Sequence, residues 1–147
     1  MNDSAAHSVS TAADQAVSQE TAVVLSAEDA RLLAEVGFLA AGGGDSLRAE
    51  TIFNALRRLR PDRAYPVVGL AVAWMNADRA SDAVRLLEGA VLADPAEQVL
   101  VDAWRGFALQ LAGRRAESRR LLETLVDGET EGARLARGLL GLAPAAG

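Results

Sequence analysis

Two prolines, Pro61 and Pro95, stand 34 residues apart, and superposing the segments before them aligns Ala49 with Ala83, Phe53 with Leu87 and Leu56 with Ala90. A fixed period of this length, built on helical spacing, marks a repeating unit that cannot bury its apolar faces alone and must stack on copies of itself. Gly37 and Ala71 place a small residue at one position in the first helix of each unit, and Ala49 and Ala83 do so in the second. Short side chains at such positions let helices approach closely. A third copy follows with one inserted residue: the run 79–88 aligns with 114–123, so that Gly106 falls under Ala71, Leu109 under Trp74 and Ser118 under Ala83. This copy is the least regular, because Asp102 and Arg105 replace Val67 and Leu70 and no proline closes it. Terminal units of repeat arrays are commonly atypical, since one of their faces meets water.

The fold class that follows is all-α, with three helix–turn–helix units and a C-terminal capping helix. Half of the 147 residues are apolar, enough for one core, and the wealth of Ala and Leu with few aromatics favours helices over a β-sandwich. Ser26 is an N-cap candidate, followed by Glu28 and Asp29 where negative charge suits a helix start. Leu32, Leu33, Val36, Leu39 and Ala40 recur at helical spacing up to the break at Gly42-Gly43-Gly44. Asp45 or Ser46 caps a second helix carrying Leu47, Ile52, Phe53, Leu56 and Leu59, which Arg60-Pro61-Asp62 closes. Further helices are expected over 64–76, 81–93, 97–111, 116–126 and 131–142. The domain division is a mobile tail over 1–25, a repeat domain over 26–142 and a frayed end over 143–147. A short helix at 12–24 is the alternative for part of the tail.

The composition excludes several kinds of function. A net charge of −5 argues against a nucleic-acid partner, which needs a basic surface. All fifteen basic side chains are Arg, a bias that base composition explains more simply than guanidinium chemistry. Without Cys there is no thiol nucleophile or thiolate metal site, and the cytoplasm is the expected compartment. Apolar runs are short and broken by charge, so no membrane span is expected, and the first twenty residues lack the pattern of a signal peptide. The glycine run lacks the Lys-Ser or Lys-Thr pair of a phosphate loop. His7 is the single histidine and sits in the tail, far from any positioned neighbour. No enzyme, cofactor or metal is expected. Two arginine clusters, at 57–63 and 114–120, read as solvated faces with weak ion pairs, one of which alternatively steers an acidic partner. Trp74 is read as core, and Trp104 is left open between core and binding anchor.

Period, small residues and prolines together resemble the tetratricopeptide repeat (TPR), over roughly residues 30–126. The resemblance implies a helical solenoid whose first helices line a concave protein-binding groove. The groove positions it implies are Ala34, Phe38 and Ala41, then Tyr65, Val68, Val72 and Met75, then Leu100, Ala103, Phe107 and Gln110. TPR co-chaperones that clamp the carboxyl terminus of heat-shock proteins use Lys, Asn and Arg at several such places. This chain has Ala34, Phe38, Gly69, Leu100 and Trp104 there, so that clamp is absent and an apolar helical segment suits the groove better. Within the superfamily, Leu33-Ala34-Glu35-Val36-Gly37, Leu59-Arg60-Pro61, the small size and the acidity are similar to the TPR-like chaperones of bacterial type III secretion. These include the YscG/SsaH-type co-chaperones of the needle subunit and the class that escorts translocators. The resemblance implies a cytoplasmic chaperone holding an amphipathic helix of a secreted subunit, and leaves room for a homodimer or a heterodimer with a small co-chaperone. The alternative is a general TPR scaffold joining other proteins.

Overall fold

The computed structural model describes residues 26–142, and every regular element among them is a helix. In chain order these are α1 (Ala27–Gly42), α2 (Ser46–Leu59), α3 (Tyr65–Asn76), α4 (Ala80–Glu88), α5 (Pro95–Leu111), α6 (Arg115–Glu123) and α7 (Glu131–Leu140). The expected all-α class holds. The stretches 1–25 and 143–147, with the helix considered at 12–24, lie outside the described residues. The described residues divide into two units inside α1, the first ending at Leu33 and the second beginning at Ala34. In the first unit the Ser26 hydroxyl accepts the Asp29 N–H at 3.1 Å, which satisfies one of the orphan donors of the helix start. Glu28 and Asp29 follow in the first turn, where their charge meets the positive end of the helix dipole.

Within the second unit the repeat is written in the backbone. At the turn between the two helices of each unit one amide reaches back five residues: Asp45 to the Ala40 carbonyl at 2.9 Å, Arg79 to Trp74 at 2.8 Å and Arg114 to Leu109 at 2.9 Å. The residue before each of these has a left-handed backbone: Gly44 at φ 83°, Asp78 at 60° and Gly113 at 81°. This is the helix-ending motif that favours glycine, because a positive φ crowds Cβ against the carbonyl. The Asp45 carboxylate then caps α2 by accepting the Arg48 N–H at 3.2 Å. At the equivalent places Arg79 and Arg114 instead pair with Asp82 and Glu117, three residues on. Asp45 and Arg48 make the same pair with the charges exchanged.

Burial follows the same register. Ala49, Ala83 and Ser118 are all 0% exposed, and Phe53, Leu87 and Leu122 are no more than 1% exposed. Gly37, Ala71 and Gly106 are buried at the facing positions. A Cβ at Gly37 would stand 2.8 Å from the Phe53 ring, and one at Gly106 would stand 2.4 Å from Leu122. Gly69 of α3 holds the other side of Phe53, where a Cβ would come within 2.1 Å. From α2 onward each helix packs on the next, α3 also touches α5, and α7 lies on α5 and α6. The α7 crossing is backbone to backbone: a Cβ at Gly132 would meet the Leu100 nitrogen at 2.6 Å.

The structure departs from the expected helix bounds in three places. α4 stops at Glu88 rather than running to 93, because the Gln98 side chain takes the Leu92 N–H at 2.7 Å and donates to the Ala90 carbonyl at 3.4 Å, holding 90–92 out of the helix. α6 stops at Glu123, where the Thr124 hydroxyl turns back to the Leu121 carbonyl at 2.6 Å. α7 ends at Leu140, and Gly141 supplies the left-handed cap. The apolar stripes also divide differently. Leu39 and Leu47 are 77% and 76% exposed, while the small residues Ala34, Gly37 and Ala41 turn inward. Close approach of helix backbones, which small residues permit, outweighs the larger side chains of the opposite face.

Candidate functional site

The eleven residues proposed to line a groove separate by burial into two sets. Ala34, Val68 and Ala103 occupy one repeat position and are 6%, 4% and 0% exposed; Ala41 and Met75 occupy another and are 2% and 8% exposed. These five are core and present no side chain to a partner, because that side of each first helix is consumed by packing within the second unit. Asn76 contributes there too, its side-chain amide donating to the Ala41 carbonyl at 3.0 Å. The other six, Phe38, Tyr65, Val72, Leu100, Phe107 and Gln110, keep part of their surface.

Three of the six repeat one position. Phe38, Val72 and Phe107 fall at the same place in α1, α3 and α5, and none of them is buried. Phe38 stands edge-on to Phe53, with ring centroids 4.9 Å apart. Phe107 meets Trp104 edge-on at 6.0 Å. Val72, Leu100, Trp104 and Phe107 rest on the central core cluster, so each is held in place by packing while one side faces out. Tyr65 carries the Arg63 guanidinium 5.8 Å over its ring. Gln110 lines an open cleft of about 750 Å³ with Arg115, Arg119 and Leu139.

Trp74 is half-buried rather than core. Its indole N–H donates to Glu50, and Arg79 lies 4.5 Å from the ring centroid while also donating to Glu50 at 3.2 Å. A buried indole N–H needs such an acceptor, and the carboxylate draws the ring to the edge of the core.

Among the described residues the perturbed groups all belong to helix starts. The Arg79 side chain donates to Asp82 and holds its carboxyl below the ordinary value, and Arg114 does the same to Glu117. Their guanidinium pKa values rise in return. Such pairs stabilise structure and are not convergent groups around a reacting atom. Among the described residues no group of three His, Asp or Glu is placed to hold a metal ion. Gly42 ends α1 and Gly43-Gly44 form the α1–α2 turn, and His7 lies outside the described residues.

Sequence reasoning missed Glu97. One of its oxygens pairs with Arg63 at 3.2 Å and the other accepts the Ala64 N–H, so it caps α3 from the start of the following unit. The signal was present in the 34-residue separation of Arg63 and Glu97, one full period. Comparison with family models, with curated proteins and with solved structures finds no match to this chain. Among the described residues no helix is long and apolar enough to cross a membrane.

Proposed function

We propose that the chain is a protein-binding helical repeat of the TPR kind, a chaperone that holds the apolar face of an amphipathic helix, and that its client is a subunit of a bacterial type III secretion apparatus. The observation that supports this reading is the row Phe38, Val72 and Phe107: large apolar side chains at one repeat position, fixed from below by the core and open on the other side. A client helix places anchors at successive turns, and a row of this kind receives them. Covering the remaining surface of each side chain contributes on the order of 1 kcal/mol. The client class comes from the resemblance of the sequence to the secretion chaperones.

Co-purification from the native host with mass spectrometry tests the reading. A secretion subunit with an amphipathic helix is the expected companion. Val72→Thr with Phe107→Ser should abolish its capture at unchanged helical circular dichroism, while Arg85→Ser, 70% exposed on α4, should not. Capture of two unrelated folded proteins would favour the general scaffold instead. Loss of the client only in the Arg85 variant would move the site to another face.

A further inference from the structure

The geometry points to a second binding site: the open cleft between α6 and the end of α7 takes an acidic peptide segment, anchored by one large apolar side chain. It does not rest on the groove reading. α7 stands where the first helix of a further unit would stand, because Ala136 is buried in one cluster with Leu122 and Ala103, as Gly69 of α3 is buried against Phe53. Leu122 and Phe53 share one repeat position. Five residues after Gly69 comes Trp74, whose indole N–H donates to Glu50 of α2. The next unit puts Leu109 at that place, in one core cluster with Val84 of α4. Five residues after Ala136 comes Gly141, which caps α7 and brings no side chain. The residue matched to Glu50 and Val84 is Arg119 of α6, and it lines the cleft of about 750 Å³ that remains.

The lining is apolar on one side and charged on the other. Leu111 and Leu142, each 51% exposed, line it with Leu139 and Leu140. Arg115 and Arg119 stand on successive turns of α6, and neither side chain makes a hydrogen bond or ion pair with another described residue. Their neighbour Arg114 differs, being paired with Glu117 at 2.6 Å. Glu123 follows one turn beyond Arg119 and pairs with neither arginine, so the described lining holds two guanidinium groups and one carboxylate in a chain whose net charge is −5. A large apolar side chain from a partner fills the place at the end of α7 as Trp74 and Leu109 fill theirs. Carboxylates beside that anchor then meet Arg115 and Arg119 in charge-assisted hydrogen bonds. Glu123 repels acid at its own end of α6, so the carboxylates belong on one side of the anchor only.

The probe is a blocked peptide Glu-Glu-Trp-Leu-Ser, titrated into the full chain and followed by amide chemical shifts and by anisotropy of the labelled peptide. Shifts are expected over 110–119 and 139–142, with affinity falling about tenfold between low and moderate salt as the charges are screened. Arg115→Gln with Arg119→Gln should weaken binding about tenfold, and neither arginine has a partner in the fold to lose. Ala116→Trp fills the cleft from its own wall at an exposed site and should abolish binding at unchanged helical circular dichroism. Replacing Trp-Leu of the peptide by Ser-Ser should also abolish it. Val72→Thr with Phe107→Ser should leave the titration unchanged, so this proposal and the groove stand or fall separately. The peptide-site assignment is overturned by absence of shifts at millimolar peptide, by shifts confined to Val72 and Phe107, or by equal binding of the Ser-Ser peptide. Self-association that rises with concentration and is removed by Ala116→Trp would overturn it as well, making a second copy of the chain the occupant.

Discussion

The Ser118 hydroxyl donates to the Gly106 carbonyl at 2.7 Å, joining the two residues at which α6 crosses α5. Ala83 and Ala71 hold the equivalent places in the preceding unit, and all of these positions are closed to water. The third unit thus keeps the small-residue crossing and adds a hydrogen bond between its helices. Ser118→Ala should lose about 0.5–1.5 kcal/mol of stability. Ala83→Leu, which overpacks the equivalent crossing, should lose roughly 1–3 kcal/mol. Urea unfolding measures both, and an unchanged midpoint for Ala83→Leu would break the repeat register.

Two glycines of α7 should respond in opposite directions. Gly132 faces the backbone of Val99 and Leu100, which cannot swing aside, whereas a Cβ at Gly138 would meet nothing within 4 Å. Gly132→Ala should destabilise by roughly 1–3 kcal/mol and raise hydrogen exchange throughout α7 by lifting it from α5. Gly138→Ala, in the interior of the same helix, should stabilise by about 0.5–1 kcal/mol. Equal effects of the two would contradict the crossing.

Asp78 is the one residue in the three matched turns that takes a positive φ without being glycine. Asp78→Gly should raise stability by about 0.5–1 kcal/mol, the relief at Cβ exceeding the added freedom of the unfolded chain. A fall in melting temperature would show that the Asp78 side chain contributes something the backbone does not reveal.

The Asp82 and Glu117 carboxyls titrate below their ordinary values because Arg79 and Arg114 donate to them. A depressed folded pKa adds stability that is present above the unfolded pKa and is lost as pH falls through the folded one. Acid titration followed by carboxyl NMR should show both midpoints below those of unstructured peptides, and Arg79→Ala should move Asp82 upward. Both pairs are exposed, so the accompanying loss of stability should be small and should shrink with salt.

The sequence by itself determined the period, and with it nearly every helix. Asp45 at a helix start, Gly44 and Gly113 at the turns and Pro95 at the head of α5 act through their own backbone preferences, which need no distant partner. The row of small residues from Gly37 to Gly106 was equally legible, because helices that cross closely exclude larger side chains. What only the tertiary structure decided was which side of each first helix remains outside. Ala34, Val68 and Ala103 are as apolar as a groove requires, yet neighbouring helices cover them and leave Phe38, Val72 and Phe107 part-exposed. The end of α4 was undecided for the same reason. It depends on Gln98 reaching back across the α4–α5 loop to Ala90 and Leu92, and one helix's periodicity does not encode that contact.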